Sequence, residues 1–229
     1  MKLSIIIPVF NEANTVEEII KRVIAVSIPD CEKEIIVVDD GSDDGTGKIL
    51  ETIKKEYGFL LLRHLKNSGK GAAVRSGLKT SSGDLILIQD GDLEYNPADY
   101  HRLLKPILAG KAAVVYGSRN LDKNTQPFYR IYFWGGKIIS ALFNLLFQAK
   151  LTDIFSGYKV FKKEVLAGID LSENGFGIES ELTAKIAKSG VTILETPISY
   201  CGRSFKQGKK IRSFDGLLAI WKIIKYRIK

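Results

Sequence analysis

The sequence predicts an α/β fold: one mostly parallel central sheet with helices on both faces, followed by an amphipathic C-terminal helix. Three observations predict it. Short apolar runs bounded by polar loops alternate with stretches of helical spacing through the first half of the chain, the order expected of repeated strand-helix units. The run Leu85-Ile86-Leu87-Ile88 is apolar on both faces and belongs inside such a sheet. It stops in Gln89-Asp90-Gly91-Asp92-Leu93-Glu94, which puts three carboxylates at a strand end, where open α/β sheets bind ligands.

Taken in order, Ser4 to Val9 is a strand closed by Pro8, and after Asn11 and Glu12 the spacing of Val16, Ile19, Ile20, Val23 and Ile24 is helical. Glu34 to Val38 repeats the pattern, ending in the acidic, glycine-containing loop Asp39 to Thr46 and a helix over about 47–57. Phe59 to Arg63 is a third strand, Asn67-Ser68-Gly69-Lys70-Gly71 opens a helix through Thr80, and the central strand follows. A helix starting at Pro97 then leads to strand Ala112 to Tyr116, which ends in Gly117-Ser118-Arg119. Residues 128–151 carry many aromatic and aliphatic side chains and few charges, giving one or two helices with a large apolar surface. The chain returns to the sheet near Asp153 to Phe161, a helix begins near Phe176, and Thr192 to Tyr200 is an edge strand because Pro197 lacks a donor. From Ser213, the residues Phe214, Leu217, Leu218, Trp221, Ile224 and Ile228 fall on one stripe of a helix about 16 residues long.

The bulk composition narrows the class. At 229 residues and 45% hydrophobic the chain can bury one full core. Cys31 and Cys201 stand far apart, without disulfide or zinc spacing, so a reducing, cytoplasmic compartment is expected. No cleavable leader precedes the first strand, and no run reaches the roughly 18 apolar residues of a membrane span. The longest, Ile138 to Ala149, is broken by Ser140, Asn144 and Gln148. The net charge of +8 is concentrated after residue 200, where nine Lys/Arg face the single acid Asp215. A basic tail on a neutral body calls for an anionic partner, phosphates or a membrane surface. No nucleic-acid motif accompanies it, so nucleic acid is not an expected partner.

Two phosphate-binding motifs are excluded. Gly41 to Lys48 misses the Walker spacing by one residue and has Ile49 in place of Ser/Thr, and no G-x-G-x-x-G follows the first strand. The loops offer acid instead: Glu12, Asp40 and the Asp90, Asp92, Glu94 group all stand at carboxyl ends of predicted strands. Hard oxygen ligands of this kind suit Mg²⁺ or Mn²⁺ gripping a diphosphate, while the earlier carboxylates can accept hydrogen bonds from a base or ribose. Considered alone, Asp39-Asp40 reads as a solvated turn. Arg119, at its own strand end, is either a phosphate clamp or the internal partner of one of these acids, with the clamp preferred.

The chain resembles glycosyltransferase family 2, and within it the dolichol-phosphate mannose synthase-like, polyprenyl-phosphate branch. The matching stretches are Ile5 to Glu12, Glu34 to Thr46, Gly69 to Ala73, Gln89 to Tyr95, Gly117-Ser118-Arg119, Phe155 to Tyr158 and Pro197 to Tyr200. The resemblance implies a single-domain, nucleotide-diphospho-sugar transferase (GT-A-like) fold over 1–212, with 213–229 as the basic amphipathic helix, and a nucleotide-sugar donor such as GDP-mannose or UDP-glucose. Pro8, Phe10, Glu12, Val38 and Asp40 would hold the nucleoside. Asp90 and Gly91 would face the donor, Asp92 with Glu94 would bind Mg²⁺ or Mn²⁺, Arg203 and Lys209 would close over the donor phosphates, and Arg119 would take the acceptor phosphate. Two departures stand out: Gly91 replaces the more usual alanine and Glu94 a frequent glutamine. The C-terminal transmembrane helices of many members are also absent, which leaves attachment at the cytosolic membrane face to the amphipathic segments.

A polyprenyl phosphate acceptor is already an anion and needs no base. A saccharide acceptor needs one, with Asp153, Glu179 or Glu181 as candidates. A nucleotide-sugar sensor without turnover is the non-enzymatic alternative, and the apolar 128–151 surface would serve a homodimer as well as a lipid.

Overall fold

The computed structural model describes residues 1–229 apart from 30, 124, 126, 211, 212 and 229. Arg212, Lys229 and the expected boundary after residue 212 fall among those outside the description. The strands are β1 (Lys2–Val9), β2 (Glu32–Asp39), β3 (Leu60–Arg63), β4 (Leu85–Ile88), β5 (Val114–Ser118), β6 (Lys159–Lys162) and β7 (Ile193–Pro197). The helices are α1 (Val16–Ala25), α2 (Thr46–Tyr57), α3 (Lys70–Thr80), α4 (Tyr100–Leu108), α5 (Arg130–Phe147), α6 (Gly177–Lys188) and α7 (Ser213–Ile228). They form a single domain around one seven-stranded sheet of order β3-β2-β1-β4-β6-β5-β7.

The mostly parallel sheet expected from the alternation is present, with one antiparallel member. β1 pairs parallel with β2 and β4, and β7 pairs parallel with β5 at the edge. β6 runs antiparallel to both β4 and β5. The reason lies in the connection. After β5 ends at Ser118 the chain stays at the carboxyl end of the sheet through α5, so β6 enters from the end at which β5 left. The crossing is pinned where the Gly117 N–H donates to the carbonyl of Tyr158 at 2.9 Å.

The period of two along each strand sorts the core into two layers. Leu3, Ile5, Ile7, Val37, Leu85 and Leu87 pack with α1 and α4, whereas Ile6, Ile86, Ile88, Val114 and Tyr116 pack with α3 and α6. A third cluster joins α5, α6 and α7 through Phe143, Ile154, Ala184, Ile223 and Tyr226. The C-terminal helix, expected to attach the chain to a membrane face, packs along one side on the protein itself. α7 docks on the body through Ala219, Ile223 and Tyr226, which lie off the stripe that the sequence pattern picks out. Most of that stripe (Phe214, Leu217, Trp221, Ile224 and Ile228) faces outward, and Ile131, Trp134, Ile138 and Leu145 of α5 are exposed as well. Lys137 lies over the Trp134 ring and Lys222 over the Trp221 ring. Among the described residues no helix is long and apolar enough to cross a membrane.

The amino end of the sheet is held by one acid. Glu34 accepts from the Ser4 and Ser82 hydroxyls and from the Ser82 N–H, and pairs with Lys2 at 2.9 Å. Burial pushes its carboxyl up, but the serine bonds and Lys2 outweigh that and hold it at about 2. A depressed native pKa contributes stability above the unfolded value, lost as pH falls through the native one. Thermal melting should therefore show Glu34→Gln less stable by about 1–2 kcal/mol at pH 7, with the deficit vanishing between pH 4.5 and 2; a deficit independent of pH would assign the loss to packing.

Candidate functional site

The carboxyl ends of β1, β2, β4 and β5 open into a cavity of about 620 Å³. Its first wall is two loops stitched together. Asn11 has φ +50°, a left-handed conformation that asparagine tolerates. Its side chain exchanges bonds with Asp43, while Ser42 and Thr46 accept the N–H groups of Asn11 and Glu12. The turn predicted to be solvated is not: Asp39 and Asp40 are buried, and Asp40 accepts from His64 and from the N–H groups of Ser68 and Gly69. Pro8, Phe10, Glu12 and Asp40 line the cavity. Val38 does not. Strand alternation turns its side chain under α3, into a cluster with Ile36 and Ala73.

Asp90 lies 2.6 Å from Lys70, which also lies 3.0 Å from Glu179. Glu179 in turn pairs with Lys159, a fully buried lysine whose ammonium sits over the Tyr116 ring. Burial opposes the charge on both Asp90 and Lys70; their mutual attraction prevails and holds Asp90 below its usual range and Lys70 above its own. The position of Asp90 is set from behind as well. Gln89, fully buried, accepts from the hydroxyls of Tyr100 and Tyr158. A Cβ on Gly157 would come within 2.1 Å of Asp90 Oδ2.

Asp92, Glu94 and Glu12 converge on one cation. The Arg203 guanidinium donates to Asp92 Oδ2 and to both Glu12 oxygens at 2.8 Å, and its Nε, buried and without a hydrogen-bond partner, lies 3.7 Å from Glu94. Lys210 pairs with Glu12 at 2.6 Å and Lys209 lies 4.0 Å from Glu94. Burial pushes Asp92 up to about 7; Asp90, Glu94 and Glu12 add to this against the pull of Arg203. Among the described residues no three acids, histidines or cysteines form a metal cage. Asp92 and Glu94 nevertheless fit the other way in which Mg²⁺ or Mn²⁺ is held, by one or two carboxylates completed by substrate phosphates. The guanidinium marks the point where their oxygens already gather around positive charge.

Arg119 is not the free clamp that was preferred. Its Nε and Nη2 donate to the two oxygens of Asp153 at 2.7 and 2.8 Å, and its guanidinium lies 5.1 Å from the Tyr200 ring. The internal partner is Asp153, delivered by the antiparallel entry of β6, and not one of the acids on β4. A guanidinium has five N–H donors, so this pairing orients Arg119 in the cavity wall without consuming it. The candidate bases change accordingly. Burial raises Asp153, but Arg119 outweighs it and holds the carboxyl below its usual range; Asp153 positions Arg119. Glu181 is fully buried and accepts from Ser172 and the Glu173 N–H. Glu179 reaches the cavity but is shared between Lys70 and Lys159. Sequence reasoning assigned no role to Lys70, His64 or Lys210. Lys70 had a signal, the flanking Gly69 and Gly71 at a helix start, and Lys210 lay in the basic run after residue 200; His64 had none.

The far wall is apolar: Phe128, Tyr129, Tyr132, Phe133 and Ile139 from the α5 region and Leu218 and Ala219 from α7. Phe205 packs on Tyr129 at 5.1 Å, and the Lys209 ammonium lies 5.9 Å from the Tyr132 ring. The basic loop therefore bridges the acids and the aromatic wall.

A sheet of this order, with Asp90-Gly91-Asp92 at its carboxyl edge opposite a basic loop, defines the GT-A-like single-domain architecture. The chain belongs to glycosyl transferase family 2, whose family model matches residues 4–169. The dolichol-phosphate mannosyltransferase of Pyrococcus furiosus is 32% identical over 233 residues, covering 99% of this chain and 64% of that protein. Glycosyltransferase AglJ of Haloferax volcanii is 30% identical over 200 residues, covering 87% of this chain and 63% of that protein. The chain thus spans just under two thirds of the length of these two relatives. Among solved structures, glucosyl-3-phosphoglycerate synthase from Mycobacterium tuberculosis in complex with Mn²⁺, uridine-diphosphate and phosphoglyceric acid shares the fold, with a TM-score of 0.75 at 20% identity over 99% of this chain and 78% of that one.

Two outcomes follow from this geometry. Gly157→Ala should push Asp90 away from Lys70 and lower stability by about 1–3 kcal/mol in thermal melting; an unchanged melting temperature would show that Asp90 has slack. Arg203→Ala should bind Mn²⁺ more tightly than the wild type, read by electron paramagnetic resonance titration. Equal Mn²⁺ affinities would mean that the guanidinium does not contend for the carboxylates.

Proposed function

We propose that this protein is an inverting hexosyltransferase that moves mannose or glucose from a nucleotide sugar, GDP-mannose or UDP-glucose, to a polyprenyl phosphate at the cytosolic membrane face. The observation that carries the proposal is the cavity itself. One end gathers Asp90, Asp92, Glu94, Arg203 and Lys209, the chemistry of a metal-bound diphosphate, and the other is the aromatic and aliphatic wall between α5 and α7. Arg119 lines the same cavity. A substrate that is anionic at one end and hydrocarbon at the other fits that division. The printed name of the Pyrococcus furiosus relative, a dolichol-phosphate mannosyltransferase, supports the same class of acceptor.

The state of the candidate bases supports a phosphate over an alcohol. Asp153, Glu179 and Glu181 are each committed to a cation or to backbone N–H groups. A phosphate oxygen needs none of them, since it is already anionic and can attack the anomeric carbon from the face opposite the leaving group. Arg119 would hold that phosphate, and Asp90, kept ionised by Lys70, would orient the donor. Arg203 and Lys209 would turn from the acids to the departing diphosphate, where they meet charge as it develops. Mg²⁺ or Mn²⁺, held by Asp92 and Glu94, would neutralise part of that charge.

The outward apolar rows of α5 and α7, bordered by Lys137, Lys222 and Lys225, suit an anionic bilayer interface. In this reading 1–212 is the catalytic unit and 213–229 its peripheral membrane contact; burial of the same face in a homodimer is the alternative. The test is to incubate purified protein and Mg²⁺ or Mn²⁺ with radiolabelled GDP-mannose or UDP-glucose and polyprenyl phosphate, then count the organic phase. Label should appear there with one donor, and Asp92→Asn should abolish it. No organic label, with nucleoside diphosphate released when oligosaccharides are supplied, would replace the lipid acceptor by a saccharide.

A further inference from the structure

Helix α3 starts without a side-chain cap of its own. Its first residue, Lys70, stands between two glycines, and Gly69, at the capping position, has no side chain to accept the N–H groups that a first turn leaves free. A neighbouring loop supplies what is missing: the Ala72 N–H donates to the carbonyl of Asn174 at 3.0 Å. The glycines admit that loop. A Cβ on Gly69 would collide with the Asn174 carbonyl oxygen, and one on Gly71 with that of Glu173. Further along α3, Arg75 donates to the Glu173 carbonyl and to Asn174 Oδ1.

The same loop is held from the C-terminal helix. Glu173 Oε1 accepts from Lys222 at 2.5 Å and from the Tyr226 hydroxyl at 2.8 Å, and Lys225 lies 3.4 Å away, all three on α7. Burial pushes the Glu173 carboxyl up, but Lys222, Tyr226 and Lys225 outweigh it and hold it below its usual range. From α6, Glu181 accepts the N–H groups of Ser172 and Glu173. One residue thus faces two helices: the Glu173 carbonyl meets α3 beside Lys70, and its carboxylate meets α7. Lys70 in turn reaches Asp90 at 2.6 Å and Glu179 at 3.0 Å in the cavity wall. We propose that Glu173 is a positioning residue that ties the docking of α7 to the placement of Lys70, and through Lys70 to that of Asp90. The part this gives Glu173 in transfer rests on the reading of Asp90 as the carboxylate that orients the donor.

Lysine acetylation of the full chain, followed residue by residue by mass spectrometry, tests the tie without any substrate. Lys159, which pairs with the same Glu179, is the internal control. Glu173→Ala should let Lys70 react about tenfold faster than in the wild type, the effect of losing one charged hydrogen bond, while Lys159 keeps its rate. Lys222→Met combined with Tyr226→Phe leaves the loop itself unaltered and should accelerate Lys70 in the same way. Lys70 reacting at the wild-type rate in either protein overturns the proposal. Equal acceleration of Lys70 and Lys159 overturns it too, because a general loosening of the fold would expose both. Acetylation involves no nucleotide sugar, so failure of this tie and failure of the transfer reading are separate results.

Discussion

An ionised carboxylate at the end of the central strand is the constraint on which this molecule depends. Asp90, half-buried, pairs with Lys70, and Lys70 is balanced by Glu179, which also neutralises the buried Lys159. Taking any one of these charges out of water is costly by several kcal/mol unless its partners are in place. The four residues come from a strand end, two helix starts and the antiparallel strand. The network can form only when β4, α3, α6 and β6 are all docked, so site and fold are one cooperative unit.

Beside that rigid half, the other half is built from contacts that can be exchanged. Arg203, Lys209 and Lys210 lie on one loop and are matched to Glu12, Asp92 and Glu94. Each of these ion pairs joins the loop to a strand end and can be exchanged for an anion at the loop and a cation at the acids. The loop also leans on the aromatic wall through Phe205 and Tyr129. A ligand that draws Arg203 away from Asp92 would therefore also disturb the apolar end, which couples the two ends of the cavity through a few side chains.

The direction of β6 has a similar reach. By keeping α5 at the carboxyl end, it lets α5 line the cavity and brings Asp153 to Arg119. It also sets Gly157 against Asp90, where only hydrogen fits. A parallel β6 would have needed its crossover along a face of the sheet, and the apolar wall would have been lost.

The strand-helix alternation, the acidic strand ends and the basic tail were legible in the chain because they are local: periodicity, breakers and charge are properties of neighbours in sequence. Pro8, Phe10, Glu12, Asp40, Asp90, Asp92, Glu94, Arg203 and Lys209 all lie around the cavity for the simple reason that strand ends and the loop facing them share one edge. Partner choice was not legible. Arg119 finds Asp153, Asp40 finds His64, and Lys70 finds Asp90 and Glu179 across separations of 20 to 109 residues. The sequence by itself determined which residues could carry charge to the carboxyl edge. Only the tertiary structure decided which of those charges are spent on one another, because pairing energies depend on distance and burial, and neither exists until the sheet has closed.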